Sequence, residues 1–425
     1  MKIGIIVGRF PVISEQFIIN HITGLIDRGH EVTILSATLG DRSRVQPMVT
    51  DYKLLEKTRY AGMPNVGPKR LFRLPLVFLG NLLRRPIKTL KALAFWRYRT
   101  GTSSGKTLFF LNAWGHLRFD LLHAHFGANG LSAAYLKDIG VAPRLAVAFH
   151  GSDINSYPRR YGEDVYGYMY SRCDLITANT NFTADKIVAN GADRGLIAII
   201  PESLATDRYP RRRPPERTEG FVVLTVGRLV EKKGHRHMLD ALARLKGSIP
   251  GLQYRMVGDG HLRGELEAQA RELGLQDLCL FLGAKTAAEI LPEYERCDLF
   301  VLPSVTAPSG DMEGQALVLQ EAQAVGVPVV STLHNGIPDG VLEGETGLLV
   351  PEADPDALAE AIRALAEDRE RLAAMGQKGP EFVRGKYDVA VVTEKLDTSY
   401  AERFPEWISP GGFGTAHPKA DDGRS

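Results

Sequence analysis

The stretch that decides the fold runs from Leu299-Phe300-Val301-Leu302-Pro303 through Asp311-Met312-Glu313-Gly314-Gln315-Ala316-Leu317-Val318-Leu319-Gln320-Glu321-Ala322 to Gly326-Val327-Pro328-Val329-Val330. A short apolar run, a polar loop, an apolar helical stretch and a second apolar run read as strand, loop, helix, strand, the repeating unit of a parallel sheet. A loop at the carboxyl end of such a strand, opening into a helix, offers free N–H groups and a positive dipole end to an anionic ligand. Leu317, Val318 and Leu319 make the segment too apolar for a surface helix, so Glu313 and Glu321 are not ordinary solvated acids. Placed on one helix, the two carboxylates would lie ~12 Å apart along the axis and ~80° apart around it, reaching different parts of a long ligand. Carboxylates accept hydrogen bonds from vicinal hydroxyls, so one suits a hexose and the other a ribose.

The same rhythm extends outward. Phe221-Val222-Val223-Leu224-Thr225-Val226-Gly227, then 254–258, 278–282 and 347–350, complete a second-half series of strands. Residues 3–7, 31–35, 121–125, 145–150, 175–178 and 198–201 form a first-half series. The 425 residues exceed the ~250–300 at which one core stops growing, so two doubly wound α/β domains are expected. Between the series, Tyr209-Pro210-Arg211-Arg212-Arg213-Pro214-Pro215-Glu216-Arg217 opposes both helix and buried strand. The expected division is a first domain 1–205, a linker 206–219, a second domain 220–380, a helix 381–407 crossing back to the first domain, and a frayed tail 408–425.

Composition limits the function. Hydrophobic content of 44%, charged content of 24% and a net charge of +2 describe an ordinary globular protein and do not suggest a nucleic-acid partner. Cys173, Cys279 and Cys297 are odd in number and far apart, which fits a reducing cytoplasm better than a disulfide framework or a zinc site. The run Met1-Lys2-Ile3-Gly4-Ile5-Ile6-Val7 is too short for a signal peptide and reads as a buried first strand. No stretch reaches the ~18 apolar residues of a membrane span, so membrane association is expected to be peripheral.

Chemistry-bearing residues cluster at strand ends. In Val226-Gly227-Arg228-Leu229-Val230-Glu231-Lys232-Lys233-Gly234, a glycine admits a phosphate to the backbone, and a guanidinium and an ammonium can neutralise a pyrophosphate. Lys232 is expected to face solvent. Leu122-His123-Ala124-His125-Phe126-Gly127 and Phe149-His150-Gly151-Ser152-Asp153 end strands in the first half. Two lookalikes are set aside. Gly101-Thr102-Ser103-Ser104-Gly105-Lys106-Thr107 is one residue short of a phosphate-binding P-loop and reads as a flexible loop. Asp354-Pro355-Asp356 is a helix start rather than a metal-binding pair.

These motifs together resemble the large retaining glycosyltransferase family whose signature is Glu, seven residues, Glu, built on the GT-B fold of two Rossmann-like domains facing a cleft. The resemblance covers nearly the whole chain. It implies that Glu313 contacts the donor sugar and Glu321 the nucleotide ribose, with Gly314, Gln315 and Ala316 near sugar and phosphates. Gly227 with Arg228 and Lys233 would hold the donor diphosphate and stabilise the leaving group. Gly258, in Met256-Val257-Gly258-Asp259-Gly260, and Gly283, in Phe281-Leu282-Gly283, match donor-side turns. His150 is implied at the donor sugar beside the reaction centre, with His125 and Asp153 as supporting groups. Gly8-Arg9-Phe10-Pro11 with Ser14-Glu15-Gln16-Phe17 resembles a subgroup that builds exopolysaccharides such as colanic acid and amylovoran, which would place Arg9, Ser14 and Glu15 on the acceptor side. Ser14 reads equally well as a helix cap.

Transfer of a hexose from a nucleoside diphosphate, UDP first and GDP-mannose second, to a glycan or polyprenyl-diphosphate-linked hydroxyl is thereby implied, with retention and with neither metal nor cofactor. The chain departs from the family at Ile200-Pro201-Glu202-Ser203-Leu204-Ala205, where Asn, Gly and Asp are usual, and at Ala316, where Pro is common. A nucleotide-sugar epimerase and a non-catalytic sugar-binding protein remain as rivals. A nicotinamide dehydrogenase does not, because Ile6-Val7-Gly8-Arg9-Phe10-Pro11 lacks the glycine fingerprint.

From Lys57 to Phe119 there is no Asp or Glu, and within 69–99 Lys and Arg alternate with Leu, Phe and Trp. Such a segment either packs as core helices with a solvated basic face or lies on anionic lipid at the inner face of the plasma membrane.

Overall fold

The computed structural model describes residues 1–43, 45–64, 68–94, 98, 105–213 and 220–405. Contacts divide the chain into two units. The first comprises 1–179, 184–200 and the chain from Val392; the second comprises 180–183 and 201–391.

The first unit is built on seven parallel strands: β1 (Lys2–Phe10), β2 (Glu31–Leu39), β3 (Thr58–Tyr60), β4 (Leu121–His125), β5 (Arg144–Phe149), β6 (Leu175–Ala178) and β7 (Ile197–Ile199). Their order is β3-β2-β1-β4-β5-β6-β7. The second has six: β8 (Phe221–Val226), β9 (Leu252–Val257), β10 (Cys279–Phe281), β11 (Leu299–Leu302), β12 (Val329–Thr332) and β13 (Gly347–Val350), in the order β10-β9-β8-β11-β12-β13. Each sheet is therefore α/β, Rossmann-like and doubly wound. The order reverses beside β1 and β4 in one unit and beside β8 and β11 in the other, and crevices open at the carboxyl ends of such strand pairs.

The strands read as continuous apolar runs because helices cover both faces. In β8, Val223 joins one core cluster while Val222, Leu224 and Val226 join the opposite one. In β1, Ile6 goes to one layer and Ile3, Ile5 and Val7 to the other. Among the described strands only β3, three residues with Arg59 exposed, escapes sequence reading, since it is too short to show a period.

Three sequence expectations need correction. The helix expected across 381–407 is two helices, Arg369–Tyr387 and Val389–Arg403, broken at Asp388, whose carboxylate accepts Ala390 N–H and the Thr206 hydroxyl. Of the loop 101–107, residues 101–104 lie outside the described residues, and Lys106 and Thr107 open a helix, Lys106–Trp114. The expected linker 206–219 is described to residue 213, and that part is bound to the second unit. Arg212 N–H meets Val325 O at 2.9 Å, and its guanidinium caps the carbonyls of Tyr294, Glu295 and Cys297. Residues 408–425 lie outside the described residues. The reading of 354–356 holds: Asp354 caps the helix Pro355–Glu367 by accepting from Asp356 and Ala357 N–H.

The chain from Val392 packs into the first unit. Leu396, Tyr400 and Phe404 share a core with Ile3, Ile5 and Ile22, and the Tyr400 hydroxyl lies 2.5 Å from His123 Nδ1. Asp397, fully buried, accepts Arg28 Nε and lies 3.0 Å from His30 Nε2. Removing one partner of a buried charge pair leaves the other uncompensated, so Asp397→Ala should lower stability by about 3 kcal/mol in urea unfolding. An unchanged midpoint would show that apolar packing alone holds this helix.

Candidate active site

The loops after β8 and β11 meet at the switch point of the second sheet, and glycine decides how closely. Gly234 adopts φ +65°, and a Cβ there would lie 1.7 Å from the Pro303 carbonyl oxygen. Gly258, at φ +144°, would put a Cβ 1.8 Å from Gly227 O, and its own N–H bonds Gly283 O at 2.8 Å. No other residue fits at either position. A single 3₁₀ turn, Glu231–Lys233, then directs two lysines inward.

There they meet Glu313, which is buried. Lys233 Nζ lies 3.1 Å from Glu313 Oε2 and Lys232 Nζ 3.5 Å from Oε1. Lys232 also reaches Asp311 at 3.3 Å and Met312 O at 3.2 Å. It is not the solvent-facing lysine expected from the sequence; a buried carboxylate needs counter-charge, and one ammonium does not satisfy both oxygens and the neighbouring Asp311. Burial works to raise the Glu313 carboxyl, but Lys233 and Lys232 outweigh it and hold it below the usual carboxylate range. Arg228 remains exposed at the loop's rim.

Glu313 is not on the helix, which runs Leu317–Val325, so the axial spacing expected for two glutamates on one helix does not apply. The helix N-cap is Ala316 at φ +56°, ψ +61°. Proline, locked near φ −65°, cannot adopt that conformation, so it would not fit the cap as it stands here.

The backbone of Glu313 is fixed as firmly as its side chain. Its N–H points at His334 Nε2, 3.1 Å away, and an N–H can only donate, so Nε2 accepts and the proton sits on Nδ1. Nδ1–H donates to Glu352 at 2.6 Å, and the other Glu352 oxygen accepts Thr306 N–H at 2.8 Å. One carboxylate thus ties together the loops after β11, β12 and β13.

Gln315 forms a reciprocal pair with the Glu202 backbone: Glu202 N–H to Oε1 at 2.6 Å and Nε2–H to Glu202 O at 2.8 Å. Its side chain is committed to holding the 200–205 segment where the chain departs from the family. Half-buried Glu321 accepts the Tyr294 hydroxyl at 2.9 Å and a hydrogen bond from Tyr209. Burial raises its carboxyl, and the two phenols only partly offset this.

In the first unit, His150 ends β5 between the rings of Phe17 and Phe126, with centroids at 4.6 and 4.8 Å. A line of imidazoles runs behind it: His125 Nδ1 lies 3.1 Å from His150 Nε2, and His125 Nε2 lies 2.8 Å from His21 Nδ1. Asp153 accepts three backbone N–H groups, from Gly127 at 2.8 Å and from His150 and Gly151 at 3.0 Å, and so shapes the turn that carries His150. Burial raises the Glu15 carboxyl, and the charges of His150 and Arg9 pull it down without offsetting this. Ser14 is exposed and does not cap; the N-cap of the helix Gln16–Asp27 is Glu15. The sequence reading missed Phe17, His21, Tyr209, Tyr294, Asp311, His334 and Glu352, each placed by tertiary contact. Among the described residues no group of three or more His, Cys, Asp or Glu is arranged to hold a metal ion.

Burial, and then the charge of His150, pulls His21 down to about 3 from an ordinary 6.5; burial and the charges of His21 and His150 drive His123 and His125 well below it. Because the folded values lie below the unfolded one, this stability is complete above about pH 6.5 and is lost as pH falls from there towards 3. Each buried imidazole contributes up to ~1.4 kcal/mol per pH unit in that window. His21→Gln should flatten the acid limb of an unfolding-versus-pH curve by about one proton, and a slope equal to wild type would refute the assignment. Glu352→Gln, which weakens the hold on the His334 tautomer, should cost about tenfold in turnover with little loss of melting temperature. Unchanged kinetics would separate that network from the site.

Comparison with known proteins fits this geometry. Residues 209–382 match the family model described as glycosyl transferases group 1, and residues 14–208 match that of Glycosyltransferase Family 4. The chain is 33% identical over 405 residues to a protein of Escherichia coli (strain K12) named as the colanic acid biosynthesis glycosyltransferase WcaL, covering 93% of this chain and 98% of that one. It is 30% identical over 377 residues to the amylovoran biosynthesis glycosyltransferase AmsK of Erwinia amylovora, covering 86% and 91%. The structure of Anabaena HepE in complex with UDP superposes with a TM-score of 0.69 at 20% identity, over 95% of this chain and 100% of that one, a likeness of fold. The chain belongs to the GT-B glycosyltransferases of the family 4-like kind, whose signature is the Glu-x7-Glu motif carried here by Glu313 and Glu321.

Proposed function

We propose that this glycosyltransferase moves a hexose from a nucleoside diphosphate sugar to a hydroxyl of a glycan or polyprenyl-diphosphate-linked acceptor in exopolysaccharide assembly, with the anomeric configuration retained and without a metal or other cofactor. The observation that carries the reading is the Lys232–Glu313–Lys233 cluster at the switch point of the second sheet, flanked by exposed Arg228. Two ammonium groups and a guanidinium on a glycine-bounded turn suit a diphosphate. Glu313, held ionised between the lysines, suits sugar hydroxyls, and Glu321 suits a ribose diol in place of its tyrosine partners. The names of the WcaL and AmsK proteins support the exopolysaccharide role, and we keep a uridine donor first and GDP-mannose second.

In the step we propose, the acceptor oxygen bonds the anomeric carbon on the face from which the diphosphate leaves. The bond from that carbon to the β-phosphate oxygen breaks, and the acceptor proton passes to the departing phosphate. Arg228 and Lys233 stabilise the charge that develops on the diphosphate, and Glu313 orients the sugar. In the first unit, His150 is assigned to the sugar, with Arg9, Ser14, Glu15, His125 and Asp153 on the acceptor side. We place the enzyme peripherally on the inner face of the plasma membrane; among the described residues no helix is long and apolar enough to cross one.

A panel of nucleotide sugars scored by thermal shift, and by nucleoside diphosphate release with a membrane lipid extract as acceptor, tests the reading. One UDP-hexose should raise the melting temperature and turn over, and Lys233→Ala or Arg228→Ala should slow turnover ~10²-fold or more. The reading fails if no nucleotide sugar shifts the melting temperature, or if both variants turn over like wild type.

A further inference from the structure

The helices Pro68–Arg84 and Pro86–Ala92 carry an apolar surface that the fold leaves uncovered. Phe72, Leu76, Leu79 and Leu83 recur at steps of four, three and four, which at about 100° per residue places them within about 60° of one another. Ile87 and Leu90 continue the surface on the second helix, and all six are between 54% and 78% exposed. The first helix cannot roll to hide its leucines. Its other side is already used, with Leu74, Val77 and Phe78 packed against the core and Asn81 donating to Leu108 O at 2.9 Å. The second is pinned by Thr107, which donates to Ala92 O at 3.0 Å, and by Tyr135, which donates to Lys88 O at 3.2 Å.

The charge around this surface has one sign. Residues 57–119 contain 13 Lys and Arg and no Asp or Glu, leaving 39 basic against 50 acidic residues in the rest of the chain. Arg73, Arg84 and Lys91 are exposed beside the leucines. Lys88 is pushed down by partial burial and then by the charges of Arg118, Arg85 and Lys91. Asp138, whose carbonyl accepts Lys91 at 3.2 Å, is itself paired with Arg172 at 2.7 Å. Apolar residues rimmed by cations match a bilayer with anionic headgroups, where side chains enter the headgroup and acyl boundary and the cations meet phosphate.

We propose that this helix pair is the docking surface for an anionic lipid bilayer, seating Phe72, Leu76, Leu79, Leu83, Ile87 and Leu90 below the phosphates that Arg73, Arg84 and Lys91 contact. It names the surface behind the peripheral placement proposed above and rests on that reading only for its use in the cell. The full chain is mixed with phosphatidylcholine vesicles, or with vesicles in which phosphatidylglycerol replaces part of that lipid, and the pelleted fraction is measured. Partition should be ~10-fold or more stronger onto the anionic vesicles and should fall as salt is raised. Leu76→Glu with Leu83→Glu should weaken it ~10-fold or more, while the melting temperature and its nucleotide-sugar shift stay as in wild type. Equal binding to both vesicles, or unchanged binding of the double variant, overturns the proposal. So does a dimer in sedimentation equilibrium that the variant abolishes, which would assign the surface to a second copy. Vesicle binding without any nucleotide-sugar shift would instead refute the donor reading alone.

Discussion

One buried carboxylate between two ammonium groups, Glu313 between Lys233 and Lys232, sets the terms for the second unit. A charge taken out of water is tolerated only where counter-charges and hydrogen bonds are held in place. The surrounding features serve that end. Gly234 and Gly258 let three loops close to backbone contact, the 3₁₀ turn Glu231–Lys233 aims consecutive lysines into one space, and the His334–Glu352 pair fixes the peptide that carries the glutamate. The Lys233 ammonium is held oriented and partly desolvated against Glu313, the state from which an anionic ligand would need least further ordering.

The first unit solves burial differently. Its polar centre is a set of neutral imidazoles, His21, His123 and His125, leading to His150. A neutral imidazole donates at one nitrogen and accepts at the other, so the tautomer of each ring in the His21–His125–His150 line dictates the next. Among the described residues, Nε2 of His21 and of His123 have no hydrogen-bond partner, the cost of packing two rings 4.7 Å apart in an apolar layer. Both units lose stability in acid, the first through this group of buried rings and the second through the lowered carboxyl of Glu313 and the buried imidazole of His235, which burial pushes down to about 4.

The fold was legible because parallel strands buried on both faces are written as unbroken apolar runs: all six residues of β8 and all five of β4 are buried. The candidate site was legible where chemistry is concentrated in a short motif, as at Gly227 to Gly234 and Glu313 to Glu321. It was illegible where a residue acquires its role from a distant partner. His334 and Glu352 look ordinary in the sequence and matter because β12 ends beside β11 and β13 beside β12. Lys232 looked solvent-facing because a period cannot show that a one-turn 3₁₀ segment directs adjacent side chains to the same acid.

The sequence by itself determined the two doubly wound sheets, the strands that end at the candidate site, and the charged residues gathered in its loops. These follow from local rules of hydrophobic period, glycine placement and residue chemistry, which the order of residues carries directly. Only the tertiary structure decided that Glu313 stands in a loop between two lysines rather than on a helix, that Gln315 serves the backbone of Glu202, and that Leu76, Leu79, Leu83 and Leu90 face outward. Each depends on which surfaces are already occupied when the elements pack, and occupancy belongs to the folded molecule as a whole.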